Sequence, residues 1–488
     1  MTNNQEAAAA AATVSDDQPR VLLRDLLGQV AGCFPRRETR QAASQMVNGL
    51  LMELEDYNCW SIAEAVGHRG PHRLQHLLSR AAWDDEQVLD AAVAWAVARL
   101  DDDDAVLVVD ETADEKSSAD AVGAARQYSG TVGGVALCQV AVTMTFATSR
   151  GHALIGRALY LPGACAADDE HRELAGVPEE VMFATKPELA GALLQRAHQR
   201  GVRASFVTGD EVYSGRDLRR AIRALGMGYV LAVRANHAFV LGSGRTLTAA
   251  GAVRLIPRGA WQRMRTGHGS KGSRHYDWAM LEVTGDDAPG GQHGQRDAGR
   301  SALLVRRHRY TGTCSYYRCW APGSVPLARL IAVAQARWKI EENHQLAKQV
   351  AGLDSGQVIR WRSWHRWSAL CLLACMYLAV TVALDRDSHA GLETGLIPVT
   401  IPEMLRMLRG TVIPPPLRAR AHRQHWSQWR RRHQYRASQA HRRWNAYADA
   451  TPCLQRTTAA VTDGTHHAGS ILRAIARTIP RPTTANAT

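Results

Sequence analysis

Three carboxylates stand where this sequence could perform metal-assisted phosphate chemistry. Asp110 closes the apolar run Ala105-Val106-Leu107-Val108-Val109, and Asp210 follows Ala204-Ser205-Phe206-Val207-Thr208-Gly209. Glu341 lies in Arg337-Trp338-Lys339-Ile340-Glu341, with Lys348 further along the same segment. Two strand-end aspartates and a helix-borne glutamate supply the hard oxygen ligands that Mg2+ takes while keeping several waters. Two such cations, about 3.5–4 Å apart, clamp the attacking and leaving oxygens of an in-line phosphodiester displacement. At about 100° per residue, Arg337, Glu341 and Lys348 fall within about 40° of one another, so one helix face carries a carboxylate flanked by two cations. The adjacent acids face elsewhere: Glu111 and Glu211 point to the opposite side of an extended backbone, and Glu342 is turned by about 100° on its helix. Taken singly, a strand-end Asp is also a common turn residue or helix cap, so spacing alone leaves the trio open.

Those side chains need a sheet and a helix to position them, and the chain offers both. Residues 1–20 are polar and Ala-rich without the basic start and apolar middle of a signal peptide, and read as a disordered tail. Residues 21–100 read as helices, and Trp60 to Leu78 reads as a helix-turn-helix-like unit whose second helix is opened by Pro71. That second helix would expose Arg73, Gln75, His76 and Arg80, side chains suited to phosphates and base edges; a plain helical hairpin fits the same pattern. From 101 to 233 the texture is α/β. A strand at 105–109 precedes a polar loop to about 128, and strands at 134–146 and 152–161 complete an antiparallel meander. A helix at 186–200, the strand ending at Asp210, a helix at 216–225 and a strand at 229–233 follow. Residues 234–325 are rich in Gly turns and short β segments, and read as a strand-rich insertion. Helices resume over 326–390, where the apolar stretch from Ser368 to Leu384 is at the lower limit for crossing a bilayer and reads as a buried core helix. Residues 391–488 are basic, with nine arginines between Arg418 and Arg443 and Trp426, Trp429 and Tyr435 interleaved. Cations and flat rings suit nucleic-acid backbones and unstacked bases. A solvated basic helix using its rings to pack onto the body fits equally.

Bulk composition is compatible with this reading. The 488 residues suffice for about three domains. A net charge of +13 favours a polyanionic partner, because cations that neutralise phosphates release condensed counterions. Nine cysteines without a Cys-x-x-Cys pair exclude a zinc cluster of ordinary spacing and point to reduced thiols in a cytosolic protein.

The chain resembles the DDE insertion-sequence transposases of bacteria, in the branch with a Tyr-x2-Arg-x3-Glu-x6-Lys signature. The stretches that carry the resemblance are Val106 to Thr112, Val122 to Thr131, Gly151 to Ile155, Phe183 to Pro187 and Val207 to Tyr213, with Arg337, Glu341 and Lys348 at the signature's spacing. The resemblance implies an α/β fold: a ribonuclease-H-like catalytic core interrupted by a β-rich insertion, with an α-helical N-terminal DNA-binding domain. It implies that Asp110, Asp210 and Glu341 hold catalytic Mg2+, with Mn2+ as a substitute. Arg337 and Lys348 would hold DNA phosphates near the cut, with Arg126, in a matching stretch, and Lys116, the one lysine kept in the 113–118 loop, as further DNA contacts. The expected partners are terminal inverted repeats and target DNA, with a homodimer in the synaptic complex, no membrane, and a cytoplasmic, nucleoid-associated location. Three departures stand out. Ala334 occupies the signature's Tyr position; Ala113-Asp114-Glu115-Lys116-Ser117-Ser118 replaces a Lys-rich loop; and Trp261, Trp278 and Trp320 are all candidates to receive a flipped base. They keep two alternatives in view, a catalytically silent DNA-binding descendant and a ribonuclease-H-like nuclease.

Overall fold

The computed structural model describes residues 17–130, 133–269, 272–288, 299–390 and 396–450. Of the tail expected over 1–20, only 17–20 fall within this range, and they are helical. The disorder expected beyond 460 lies outside the described residues.

The described residues open on the helices α1 (Asp17–Gln29), α2 (Arg37–Leu51), α3 (Cys59–Ala65), α4 (His72–Ser79) and α5 (Asp85–Leu100). The start of α3 is fixed by Asn58, whose side chain accepts the backbone N–H groups of Trp60 and Ser61, while Ser61 Oγ accepts from the Asn58 N–H. Gly67, at φ +88°, makes the turn that separates α3 from α4, a conformation open to a residue without Cβ.

The α/β part runs β1 (Val106–Glu115), β2 (Ala125–Ser129), β3 (Gly134–Ala147), β4 (His152–Tyr160), α6 (Lys186–Gln199), β5 (Phe206–Gly209), α7 (Arg216–Ala224) and β6 (Gly228–Val233). A small β7–β8 hairpin (Ala238–Val240, Thr246–Thr248) leads to β9 (Gln262–Gly269), β10 (Gly272–Val283), β11 (Arg300–Arg307) and β12 (Cys314–Ala321). One large mixed sheet results, in the order β2-β3-β1-β5-β6-β12-β11-β10-β9, with β4 also paired to β3. β5 runs parallel to both β1 and β6, and every other pairing is antiparallel. Strands from 234–325 therefore continue the central sheet through β12, whose Tyr316 to Trp320 pair with Val233 to Tyr229 of β6.

One expectation is corrected here. The strand carrying Asp110 does not end at 109 and give way to a loop. It continues to Glu115, because β3 pairs with it along its whole length, from Val106↔Ala147 to Glu115↔Cys138. Asp114 and Thr112 are buried in that extension. The first half of the acid-bearing 113–118 segment is thus strand.

Four helices close onto the sheet: α8 (Leu327–Ala336), α9 (Trp338–Ala351), α10 (Trp361–Ser388) and α11 (Ile401–Leu408). α10 is long and apolar enough to cross a membrane by length and composition, yet 89% of its apolar window is buried inside the protein. It joins the N-terminal helices to the sheet, and a single apolar cluster includes Leu26, Leu50 and Val88 together with Val109, Val207 and Leu373. Arg157 of β4 ties the same layers by charge, meeting Asp85 at 2.6 Å and Glu86 on α5 and donating to Ser368 Oγ on α10.

The basic helix α12 (Arg420–Ala450) docks by its first half on the turn between α3 and α4. Trp426 is fully buried and its indole N–H donates to the His68 carbonyl at 2.8 Å. Trp429 meets Trp60 edge-on at 4.8 Å, and Arg430 pairs with Glu64. The interleaved Trp426 and Trp429 are therefore packing residues. Replacing Trp426 by Ala should cost about 3–5 kcal/mol of docking energy. Limited trypsin digestion should then cut within 420–443 at least tenfold faster than in the parent, on the order expected for such a loss; unchanged cleavage would mean the helix is held elsewhere.

Candidate metal and phosphate site

The parallel register of β1 and β5 builds the centre of the site. Val106 pairs with Phe206 and the register runs to Val109 opposite Gly209, where β5 ends. Asp110 and Asp210 are the next residues on each chain. Neighbouring strands lie about 4.8 Å apart and in-register side chains leave the same face, so the two carboxylates stand side by side. Gly209 permits this approach: a Cβ there would sit 3.0 Å from Val109 Cγ2 and 3.1 Å from Val109 O.

Backbone donors fix both rotamers. The Glu111 N–H donates to Asp110 Oδ1 at 2.9 Å, and the Val212 N–H donates to Asp210 Oδ1 at 2.8 Å. Burial first, and then the charge of Asp210, pushes the Asp110 carboxyl up to about 7. Asp210 is also raised, chiefly by burial. Arg337 stands on the other side of Asp110, with Nη1 3.4 Å from Oδ2. This pair holds more negative charge than its arginine offsets, and its donors are hard oxygens, so the chemistry of the site suits a divalent cation.

Helix α9 crosses this face of β1. Arg337, at its start, reaches Asp110, and Lys348, near its end, donates to the Ala113 carbonyl at 2.7 Å and lies 3.0 Å from Asp114 Oδ1. Asp110 and Asp114 share a strand face, four residues apart, so the helix lies along the strand with a cation at each contact. His344 contacts Thr143 Oγ1 at 2.7 Å, and Thr143 in turn donates to the Asp110 carbonyl. Glu341 is on the same helix face, one turn from Arg337, and is exposed. Among the described residues no three His, Cys, Asp or Glu side chains are close enough to hold one metal ion. The arrangement thus assembles the two aspartates and leaves Glu341 on the adjoining helix.

Several side chains here carry no signal in the spacing argument. Glu111 accepts from Tyr213 Oη at 2.5 Å and pairs with Lys186 Nζ at 2.7 Å. This half-buried link ties the turn after Asp210 to the strand that holds Asp110. Tyr213 stands three residues after Asp210, a short-range pattern that a search for turn-borne partners would have found. Glu342 pairs with His152 at 3.1 Å and with Lys339, away from the aspartates.

Other expected contacts are placed differently. Lys116 is a correction: it is buried, its ammonium donating to the Gly356 carbonyl at 2.9 Å, and presents no surface charge to a ligand. Trp278 and Trp320 are corrections too, at 1% and 6% exposure within the main core, so neither can receive a base. Trp261 is half-buried under the Arg307 guanidinium. The ring left open near the aspartates is Trp338, 61% exposed beside Arg337. Arg126 is exposed on β2, and Gln75, His76 and Arg80 are exposed on α4. Arg73 is held by Gln41 and the Glu38 carbonyl. Ala334 is buried in α8.

Two measurements follow from this geometry. Tyr213→Phe removes a hydrogen bond to a carboxylate and should lower stability by about 1–3 kcal/mol in thermal unfolding; an unchanged midpoint would show the link is idle. Asp110 binds its proton more tightly folded than unfolded, so its contribution is full below about pH 4 and is lost as pH rises to about 7. Without divalent cations, Asp110→Asn should therefore be more stable than the parent at pH 8, by on the order of 2–4 kcal/mol, with the difference shrinking toward pH 4. A constant difference across that range would refute the charge crowding.

Comparison with known proteins agrees with this layout. A family model described as a DDE superfamily endonuclease matches residues 29–263, and one described as a transposase DDE domain matches residues 184–378. The probable transposase for insertion sequence element IS701 of Microchaete diplosiphon is 26% identical over 207 residues, covering 42% of this chain. That match takes in 51% of the relative, so the chain spans about half the length of the curated protein it matches. The piggyBac transposase synaptic complex with hairpin DNA, solved by cryo-electron microscopy, is 11% identical, with a TM-score of 0.42 over 84% of each chain. The two overlapping domain matches together take in residues 29–378, and with the insertion-sequence relative they support a DDE-type insertion-sequence transposase.

Proposed function

We propose that this chain is a DNA transposase that binds the terminal inverted repeats of its element, cuts a strand there and joins the end to target DNA. The observation that carries the reading is the pair Asp110 and Asp210, brought together by register at the end of β5 beneath a helix that begins with Arg337. The strand order β4-β3-β1-β5-β6, antiparallel on one side of β1 and parallel on the other, supports a ribonuclease-H-like core, with β7–β12 as its β-rich insertion. The helices over 21–100 would form a DNA-binding unit around α3 and α4. Arg337, Glu341 and Lys348 support membership of the Tyr-x2-Arg-x3-Glu-x6-Lys branch, with Ala334 as its departure.

Asp110, Asp210 and Glu341 would hold the divalent cations, Mg2+ or Mn2+. When bound, such ions supply positive charge that makes a water or a 3′-hydroxyl nucleophilic and absorbs charge on the leaving oxygen. Asp110 and Asp210 contribute fixed oxygens whose repulsion a cation relieves. Glu341 would reach the pair by a change of rotamer from its exposed position. Arg337, released from Asp110, would turn to a DNA phosphate, and Lys348 keeps α9 aligned with β1 through Ala113 and Asp114. A homodimer would bring two element ends into one assembly. The engagement of both cations with carboxylates and the outlying Glu341 favour the second reading, a transposase descendant that binds DNA without cutting it.

A plasmid carrying both stretches of DNA that flank the coding sequence, incubated with the full chain and Mg2+, separates the two. Cleavage at the flanks supports the transposase; binding without cleavage supports the silent descendant. Asp110→Asn, Asp210→Asn and Glu341→Gln should each remove several kcal/mol of transition-state stabilisation and slow cleavage by on the order of a thousandfold or more, with DNA binding kept. A variant that cuts at the parental rate removes its residue from the site.

A further inference from the structure

Helix α12 has two faces of different composition, and among the described residues the inner one packs on the chain. Its inner face is settled by contact: His422 and His425 meet the Glu64 and Arg69 carbonyls at 2.8 Å, Trp426 is buried, and Arg430 pairs with Glu64. Trp429 stacks on His433 at 5.3 Å, closing the aromatic seam. The helix spans 31 residues, about 46 Å, so it reaches well past this docking point.

The opposite face has a regular composition. Arg420, Arg431 and Arg442 recur at a spacing of eleven residues, which is close to three full turns, so each is displaced by only about 20° from the last. They form a nearly straight row with members about 16–17 Å apart, and all three are exposed. Tyr435, 66% exposed, stands about 40° from Arg431 on the same side. No acidic residue occurs between Glu403 and Asp449, so no carboxylate of the helix lies within the stretch from Arg420 to Arg442 that carries this row. It also lacks Leu, Ile, Val, Met and Phe throughout, so the row has no aliphatic stripe beside it to bury in a lipid surface or a second apolar helix. A row of guanidinium groups on a rigid rod, without apolar anchors, matches a regular polyanion.

We propose that the outer face of α12 is a duplex-DNA contact surface in which Arg420, Arg431 and Arg442 each bind a backbone phosphate. This rests on the DNA-transposase reading and specifies where on the chain the duplex is gripped. Docking on the α3–α4 turn fixes the rod next to the helices that would read the element end. Contact is to phosphates, so it adds affinity without sequence preference.

The test is fluorescence anisotropy of a labelled random-sequence duplex with the full chain, measured across a series of NaCl concentrations. The variant Arg420→Gln/Arg431→Gln/Arg442→Gln is compared with the charge-matched control Arg203→Gln/Arg245→Gln/Arg254→Gln, three exposed arginines outside the N-terminal helices and outside the Asp110–Asp210 site. Loss of three phosphate contacts should make the slope of log K against log salt shallower by about 2–3 and weaken binding at least tenfold at low salt, with the control near the parent. A triple variant whose affinity and slope equal the parent's overturns the assignment and leaves the DNA reading standing. Equal losses in variant and control also overturn it, since bulk charge would then explain the binding. A parent chain that binds no duplex at any salt overturns both.

Discussion

The structure depends on how β5 is laid against β1. Four rungs of parallel pairing place the next residue of each segment side by side, and both of those residues are aspartates. Water would ordinarily separate two such charges. Here backbone N–H groups hold one oxygen of each, and burial removes solvent, so the repulsion is built into the fold. A group whose carboxyl is driven to about 7 by its surroundings marks a place where the protein has accepted a cost in stability. The Tyr213–Glu111–Lys186 link makes this possible by tying the turn after Asp210 to β1 from behind.

The helices act around that pair. α9 lies along β1 with a cation at each end of the contact, and α10 packs beneath α9 while binding the N-terminal helices into the same core. The helices expected to read DNA therefore share one apolar core with the central sheet and are not loosely tethered to it. Positive charge is distributed in the same sense: inward-facing cations such as Lys116, Arg157 and Arg430 hold elements together, while Arg420, Arg431 and Arg442 of α12 face outward. On the proposed reading, the inward set shapes the site and the outward set holds the substrate.

Much of this was legible in the sequence because it rests on local pattern. Apolar runs ending at Asp110 and Asp210 announced strands, the 17-odd apolar residues after Ser368 announced a buried helix, and the spacing of Arg337, Glu341 and Lys348 announced a shared helix face. What escaped was decided by partners far along the chain. β1 extends through polar residues to Glu115 because β3 supplies a complete ladder, and strand propensity yields to that pairing. Lys116 is buried because the Gly356 carbonyl lies beside it, and no local feature announces that acceptor. Exposure of the tryptophans is likewise a tertiary property: Trp278 and Trp320 look like Trp338 in sequence, yet only the last remains open to solvent. In α12 the aromatics were readable as either packing or stacking residues, and contact with His68 and Trp60 decides for packing at Trp426 and Trp429.

The central claim is that Asp110 and Asp210 form one cation-binding unit, and calorimetric titration of the full chain with Mn2+ tests it without any DNA. The account predicts saturable binding by the parent, and a loss of affinity of at least about tenfold in each of Asp110→Asn and Asp210→Asn, the effect of removing one hard ligand from a shared site. Mn2+ binding that is equal in the parent and both variants would contradict it.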